Sequence, residues 1–324
     1  MHFRNRNALV CLVLALAFSS VAWGQEPAAL KLRVKTPFTF VAYGDLRETT
    51  PANTKDSDPV RRQALIDAIA QLKPAFILVS GDLPLRGDNP ADWAQWDKET
   101  EPWRKASIPV FPALGNHDLR GDRKVALDNY FKRFPALKES RYYTVRAANV
   151  LVITLDSSMD QPGTPQMEWL DEQLNAIPSD VDFVVFDMHH PPYTKSSDTM
   201  PTGGHSERSR EHNLGRHLEA IQQHTRARFL VFSGHVHNYE RYQHGGVMYV
   251  VTGGGGAEAY EIPRSEDDFY RDPGPTYHYC VVSVNKRRLD FSMVKLEMRD
   301  NKATYTKRDS FTLNAPKAAS ATAR

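Results

Sequence analysis

Cysteine is almost absent from this chain. Its 324 residues include two, Cys11 and Cys280, so no disulfide framework holds the fold and stability must come from a buried apolar core. Cys280 lies in the apolar run YHYCVVSV and reads as a small buried hydrophobe rather than a nucleophile. Charge of one sign is lacking too: Lys and Arg number 41 against 39 Asp and Glu, a net of +2. No basic run stands out, which argues against a nucleic-acid binder or a polyacid. Apolar segments long enough for a membrane span are also missing. The stretch from Ala8 to Phe18 falls well short of the about 20 residues that a bilayer requires. No internal repeat is visible.

That stretch has another reading. Arg4 and Arg6 precede it and the small residues SSVAWG follow. A basic start, a short apolar segment and small residues make a Sec-type signal peptide over residues 1–24, cleaved after Ala22 or Gly24. The mature chain is then periplasmic or secreted, with no stable membrane anchor and with Cys280 as its single thiol. A catalytic domain is expected over residues 25–312 and a disordered tail over residues 313–324, where apolar content is low.

The hydrophobic fraction, 41%, and the charged fraction, 25%, are ordinary for a globular domain. One pattern recurs along it. Short apolar runs end abruptly in polar residues: FTFVAYGD, FILVSGD, VFPALGNHD, DFVVFDMHH and FLVFSGHVH. Each reads as a buried strand. Between them lie helical patterns at Pro59 to Leu72, Thr164 to Ile177 and His212 to His224, and Trp93, Trp96 and Trp103 recur at intervals that suit packing on a helix face. Strands alternating with helices predict a layered α/β fold, in which ligands bind beyond the carboxyl ends of strands. If these strands share a sheet, their polar ends converge.

The residues at those ends are Asp45, Asp82, Asn116 with His117, His189 with His190, and His235 with His237. Oxygen donors mixed with imidazoles suit Zn, Mn or Fe. Several carboxylates and histidines allow two ions close together, an arrangement that hydrolyses phosphate esters. One Gly-Asp at a strand end is uninformative; five polar strand ends in series are not.

The series GD, GD, GNHD, HHPPY and GHVHNYER resembles the calcineurin-like metallophosphoesterase superfamily. With the later GGGG it most resembles the purple acid phosphatase branch, over Phe38 to Tyr260. The resemblance implies a four-layer αββα sandwich with mixed sheets and a two-metal site at the carboxyl ends of the strands. It implies that Asp82 bridges two divalent ions (Mn, Zn or Fe), that Asp45 and His237 hold the first, and that Asn116, His189 and His235 hold the second. His189 is preferred to His190 because the family's ligand directly precedes an x-Pro step. His117 would touch phosphate oxygens or protonate the leaving group, and Asp118 would orient it. His205, in the polar segment Thr194 to Asn213, is a substrate-contact candidate by its location in a loop.

Two positions depart from the family pattern. Arg47 stands where the superfamily has a histidine, and Leu85 where purple acid phosphatases have a tyrosine. Neither usual third ligand of the first ion is present, so a colourless protein and a weak first site are expected, with occupancy by one ion as an alternative. Arg47 could clamp a phosphate oxygen or pair with an acid. Tyr239, Glu240 and Arg241 are expected to be structural, with Glu240 and Arg241 paired. The expected function is an exported phosphoesterase acting on a small phosphorylated substrate, by attack of metal-activated water at phosphorus, with no nucleic acid bound beyond a nucleotide substrate. The alternatives are a diester, nucleotide or lipid pyrophosphate hydrolase on the same scaffold, or a non-catalytic protein that binds metal or phosphate ligands.

Overall fold

A computed structural model describes residues 26–159, 164–200 and 204–316. The proposed leader and residues 317–324 lie outside the described residues. Among those described, no helix is long and apolar enough to cross a membrane.

Among the described residues the strands are β1 (Ala29–Leu32), β2 (Phe38–Tyr43), β3 (Ile77–Val79), β4 (Val110–Pro112), β5 (Tyr143–Ala147), β6 (Val150–Thr154), β7 (Phe183–Met188), β8 (Arg228–Ser233), β9 (Tyr239–His244), β10 (Val247–Thr252), β11 (His278–Asn285), β12 (Arg288–Arg299) and β13 (Lys302–Asn314). They form two mixed sheets, in the orders β1-β5-β6-β7-β8-β10-β9 and β13-β12-β11-β2-β3-β4. The five polar strand ends are therefore split, three after β2, β3 and β4 and two after β7 and β8. They converge because the two sheets stack with these ends at one edge, not because one sheet carries them all.

Alternation along the strands builds the layers. On β7 and β8, Val185, Leu230 and Phe232 face the other sheet and join one core with Phe40, Val282 and Phe291; the rings of Phe232 and Phe291 lie 6.2 Å apart. Val184, Phe186, Phe229 and Val231 point the opposite way. There they pack against Leu170 and Leu174 of helix α5 (Pro165–Asn175) and Leu214 and Leu218 of α6 (Ser209–Gln222). Strands buried on both faces read as unbroken apolar runs, which is why the sequence shows no polar alternation here.

Helix α1 (Pro59–Leu72) starts on Asp58, whose side chain accepts from the Arg61 amide, with Pro59 at a position that needs no donor. It packs against β11 and β12. Trp93 and Trp96 of α2 (Pro90–Glu99) and Trp103 of α3 (Glu101–Lys105) are buried in the shared core, so they serve packing and not a ligand platform. Helix α4 (Arg123–Arg133) completes the set.

Strand pairing continues past residue 313, where the tail is expected to start. Strand β13 runs to Asn314, with Leu313 opposite Leu289, and Ala315 is buried. Long antiparallel pairing with β12, and Phe311 stacked on Phe291 at 4.5 Å, hold residues whose own composition looks loop-like.

Candidate metal centre

The strand ends turn sharply where the candidate ligands sit. Asp45, Arg47, Asp82 and His235 have left-handed backbone, with φ of 60°, 49°, 55° and 69°. Non-glycine residues adopt this region only when their surroundings enforce it, and such positions cluster at functional sites. Two glycines make the turns possible by close approach. A Cβ on Gly115 would lie 2.2 Å from Asp82 Oδ1, and one on Gly234 would lie 2.4 Å from Asp45 Oδ2.

Within this cup the acceptors face one another. His189 Nδ1 bonds the Ser80 carbonyl at 2.8 Å, so Nδ1 carries the proton and Nε2 presents a lone pair. Nε2 lies 3.0 Å from Asn116 Oδ1, 3.1 Å from His235 Nδ1 and 3.3 Å from Asp82 Oδ1. The carboxylate and amide oxygens are acceptors as well. Two oxygens and a second imidazole drawn this closely around one nitrogen lone pair form a donor set that a cation would fit.

A second set repeats the theme. His237 Nδ1 bonds the Glu258 carbonyl at 2.8 Å, which leaves Nε2 as an acceptor 3.7 Å from Asp45 Oδ1. Both atoms are buried without a hydrogen-bond partner among the described residues. Their separation is about what two ligands on one ion show, each roughly 2.0–2.2 Å from a metal such as zinc. The other oxygen of Asp45 accepts from the His235 amide at 2.8 Å. The carbonyls of Ser80 and Glu258 act as the outer partners that fix a ligating imidazole's tautomer.

Electrostatics favour the same reading. Burial, and then the charge of Asp82, push the Asp45 carboxyl well above its ordinary range. Burial would raise Asp82 too, but its neighbours His189, His117 and Arg47 outweigh it and hold that carboxyl low, the guanidinium being the charged one among them. Burial, the largest cause at each, lowers His189, His235 and His237, which keeps the imidazoles in the neutral form that binds metals. Among the described residues, two groups have ligand atoms all within 4.8 Å of one another: Asp45, Asp82 and His189, and His189, His190 and His235. His189 is common to both groups, and one ion beside its Nε2 would draw on Asp82 and Asn116 and on His235. Asp45 and His237 supply only two ligands of their own toward another.

His190 shares a hydrogen bond with Ser157 Oγ through Nδ1 at 2.8 Å and lays its ring 4.3 Å from that of His235. Of the adjacent pair, His189 is the one that faces Asp82 and Asn116. His205 stacks on His235 at 4.1 Å and 25°, so this loop histidine does reach the cluster. A cleft of about 610 Å³ opens there, walled by Arg47, Lys55, His205, His237, Glu258 and Tyr260 among others.

Two expectations need correction, and one alternative is decided. Asp118 does not orient His117. Its oxygens accept from the backbone amides of Asp82, Leu83 and Gly115 at 2.8, 3.0 and 2.7 Å, while His117 Nδ1 bonds the Leu85 carbonyl at 2.7 Å. Position 85 thus contributes through its backbone carbonyl and not through its side chain. Of the two alternatives for Arg47, it pairs with an acid: its Nε and Nη2 donate to Asp82 Oδ2 at 3.3 and 3.2 Å. Glu240 and Arg241 are not paired. Successive strand residues point to opposite faces, so Glu240 accepts from Thr194, Lys195 and Tyr242 while Arg241 binds Asp309.

Comparison with known proteins agrees with this geometry. The profile of the calcineurin-like phosphoesterase family matches residues 38–239, and the chain belongs to that family. Among its relatives are purple acid phosphatase 23 of Arabidopsis thaliana, 28% identical over 62% of this chain and 44% of that protein, and phosphoenolpyruvate phosphatase of Allium cepa, 26% identical over 72% and 47%. The chain spans about half the length of these curated relatives. In structure it resembles purple acid phosphatase PPD1 from yellow lupin (Lupinus luteus) seeds, with a TM-score of 0.65, 18% identity and coverage of 86% of this chain and 54% of that one.

Proposed function

We propose that this chain is an exported, metal-dependent phosphoesterase that hydrolyses small phosphate esters by direct attack of water at phosphorus. The observation that carries the reading is the gathering of Asp82 Oδ1, Asn116 Oδ1 and His235 Nδ1 within 3.0–3.3 Å of His189 Nε2, a buried nitrogen whose lone pair faces them. Divalent ions at such a site acidify water and offset charge on phosphoryl oxygens. The chain's own residues supply the rest. His117, oriented by the Leu85 carbonyl, has the role of contacting phosphate oxygens and returning a proton to the leaving group. His205, stacked on His235, contacts substrate from the loop side. Phosphatases among the relatives support monoesters as the substrate class. Residence outside the cytoplasm rests on the leader-like residues 1–24 alone.

The test is hydrolysis of an aryl phosphate monoester and its matching diester by chelator-stripped protein refilled with Mn, Zn or Fe(II). Turnover should vanish on stripping and return with metal, the monoester being preferred. Asp82→Ala and His235→Ala should each remove it. No turnover with any metal, with ions bound, would overturn the reading for aryl esters; tight binding of the ester without cleavage would then mark a binding protein, and no binding a substrate that aryl esters do not mimic.

A further inference from the structure

Asp82 is not free to bridge symmetrically. Its Oδ1 faces His189 Nε2 and also accepts from the His117 amide at 2.9 Å. Its Oδ2 carries the guanidinium of Arg47 through two N–H groups. We infer that the chain binds one divalent ion firmly, at Asp82 Oδ1, Asn116, His189 and His235, and that Arg47 occupies the other face of Asp82 and supplies there the positive charge that a second ion would bring. The inference rests on the metal-dependent reading proposed above.

Arg47 is built into place. Its amide donates to the Asp82 carbonyl at 2.9 Å, and its own carbonyl accepts from Arg62 Nη1 at 3.3 Å. Arg62 is fully buried and clamped on Glu99 at 2.7 and 2.8 Å. The left-handed φ of Arg47 is thus imposed from a rigid interior, and its side chain is only 11% exposed. A guanidinium held this way, bound to a fully buried carboxylate, does not resemble a surface arginine that swings into solvent.

The site opposite Arg47 is correspondingly poor. Asp45 Oδ1 and His237 Nε2 form a two-ligand remnant, and an ion entering it would have to take Asp82 Oδ2 from the guanidinium. Leu85 offers no side-chain ligand. Four donors on one side and two on the other predict unequal affinity for the same metal.

Metal content after stripping, refilling with Zn or Mn and exhaustive dialysis reads this directly, with calorimetric titration for the affinities. The wild type should retain about one ion per chain, and Arg47→Ala should gain a second with affinity improved at least about tenfold. Arg47→Gln, which keeps the length of the side chain without its charge, should behave alike and guards against misfolding of the alanine variant. Two firmly held ions in the wild type would overturn the inference and leave the proposed function standing. One ion in the wild type and in both variants would overturn the role given to Arg47. No ion in the folded wild type would overturn the metal-dependent reading itself.

Discussion

His117 and Asp118 are neighbours in sequence with separate tasks. The Asp118 carboxylate is fully buried and collects three backbone amides from two strand-end turns. Removing it orphans buried donors, each of which costs about 1–3 kcal/mol. Asp118→Ala should therefore melt at a markedly lower temperature. His117→Gln should melt close to the wild type, because its ring makes a single hydrogen bond to the Leu85 carbonyl, and should lose most of kcat, by about 10²-fold or more for a general acid. Thermal denaturation together with kcat separates the two. Equal loss of stability in both variants would contradict the division of labour.

Elements from the two sheets are tied at their far edges by a partner that no local pattern announces. Arg241 on β9 donates to both oxygens of Asp309 on β13, at 2.6 and 3.0 Å, and the Tyr239 hydroxyl adds a bond at 2.8 Å. Both charged side chains are about nine-tenths buried. Asp309→Ala leaves Arg241 buried without its counter-ion, and breaking such a pair costs about 3 kcal/mol or more. Urea unfolding should show that loss, with metal content unchanged in the cold because the tie lies away from Asp82 and Asn116. The contrast marks what could be read from sequence. The strands ending in Asp45, Asp82, Asn116, His189 and His235 were legible because a buried strand is a short apolar run and its polar stop is abrupt. Helix α1 was legible from Pro59 to Leu72 because a cap and a proline mark its start. The division of those strands between two sheets was not, since each run is apolar on both faces whichever sheet it joins. Nor were the carbonyls of Ser80, Leu85 and Glu258 that orient the three histidines, because a backbone carbonyl has no residue signature. Arg241 and Asp309 are 68 positions apart, and only the stacking of the sheets brings them together.

At the scale of the whole molecule, buried histidines set the acid limit. His278 on β11 is fully buried, bonded through Nδ1 to the Thr276 carbonyl and through Nε2 to Thr252 Oγ1. It belongs to the packing between sheets and lies outside the metal cluster. Burial lowers its pKa to about 4, against the Thr276 bond that would raise it. In the unfolded chain the imidazole takes a proton below about pH 6.5, whereas in the native state it stays neutral down to about 4. The unfolded state therefore binds more protons across that interval, and stability is present above pH 6.5 and lost as the pH falls toward 4. The slope is about 1.4 kcal/mol per pH unit, so this one residue removes about 3 kcal/mol over the interval. His278→Gln keeps an amide that can satisfy both neighbours and cannot become charged. Urea unfolding at pH 7 and pH 4.5 should show a smaller loss in the variant than in the wild type, although His189, His235 and His237 are shifted in the same direction and contribute to both. If the two proteins lose the same stability on acidification, His278 is not charged on unfolding in the way its burial requires, and the acid limit belongs to the metal cluster alone.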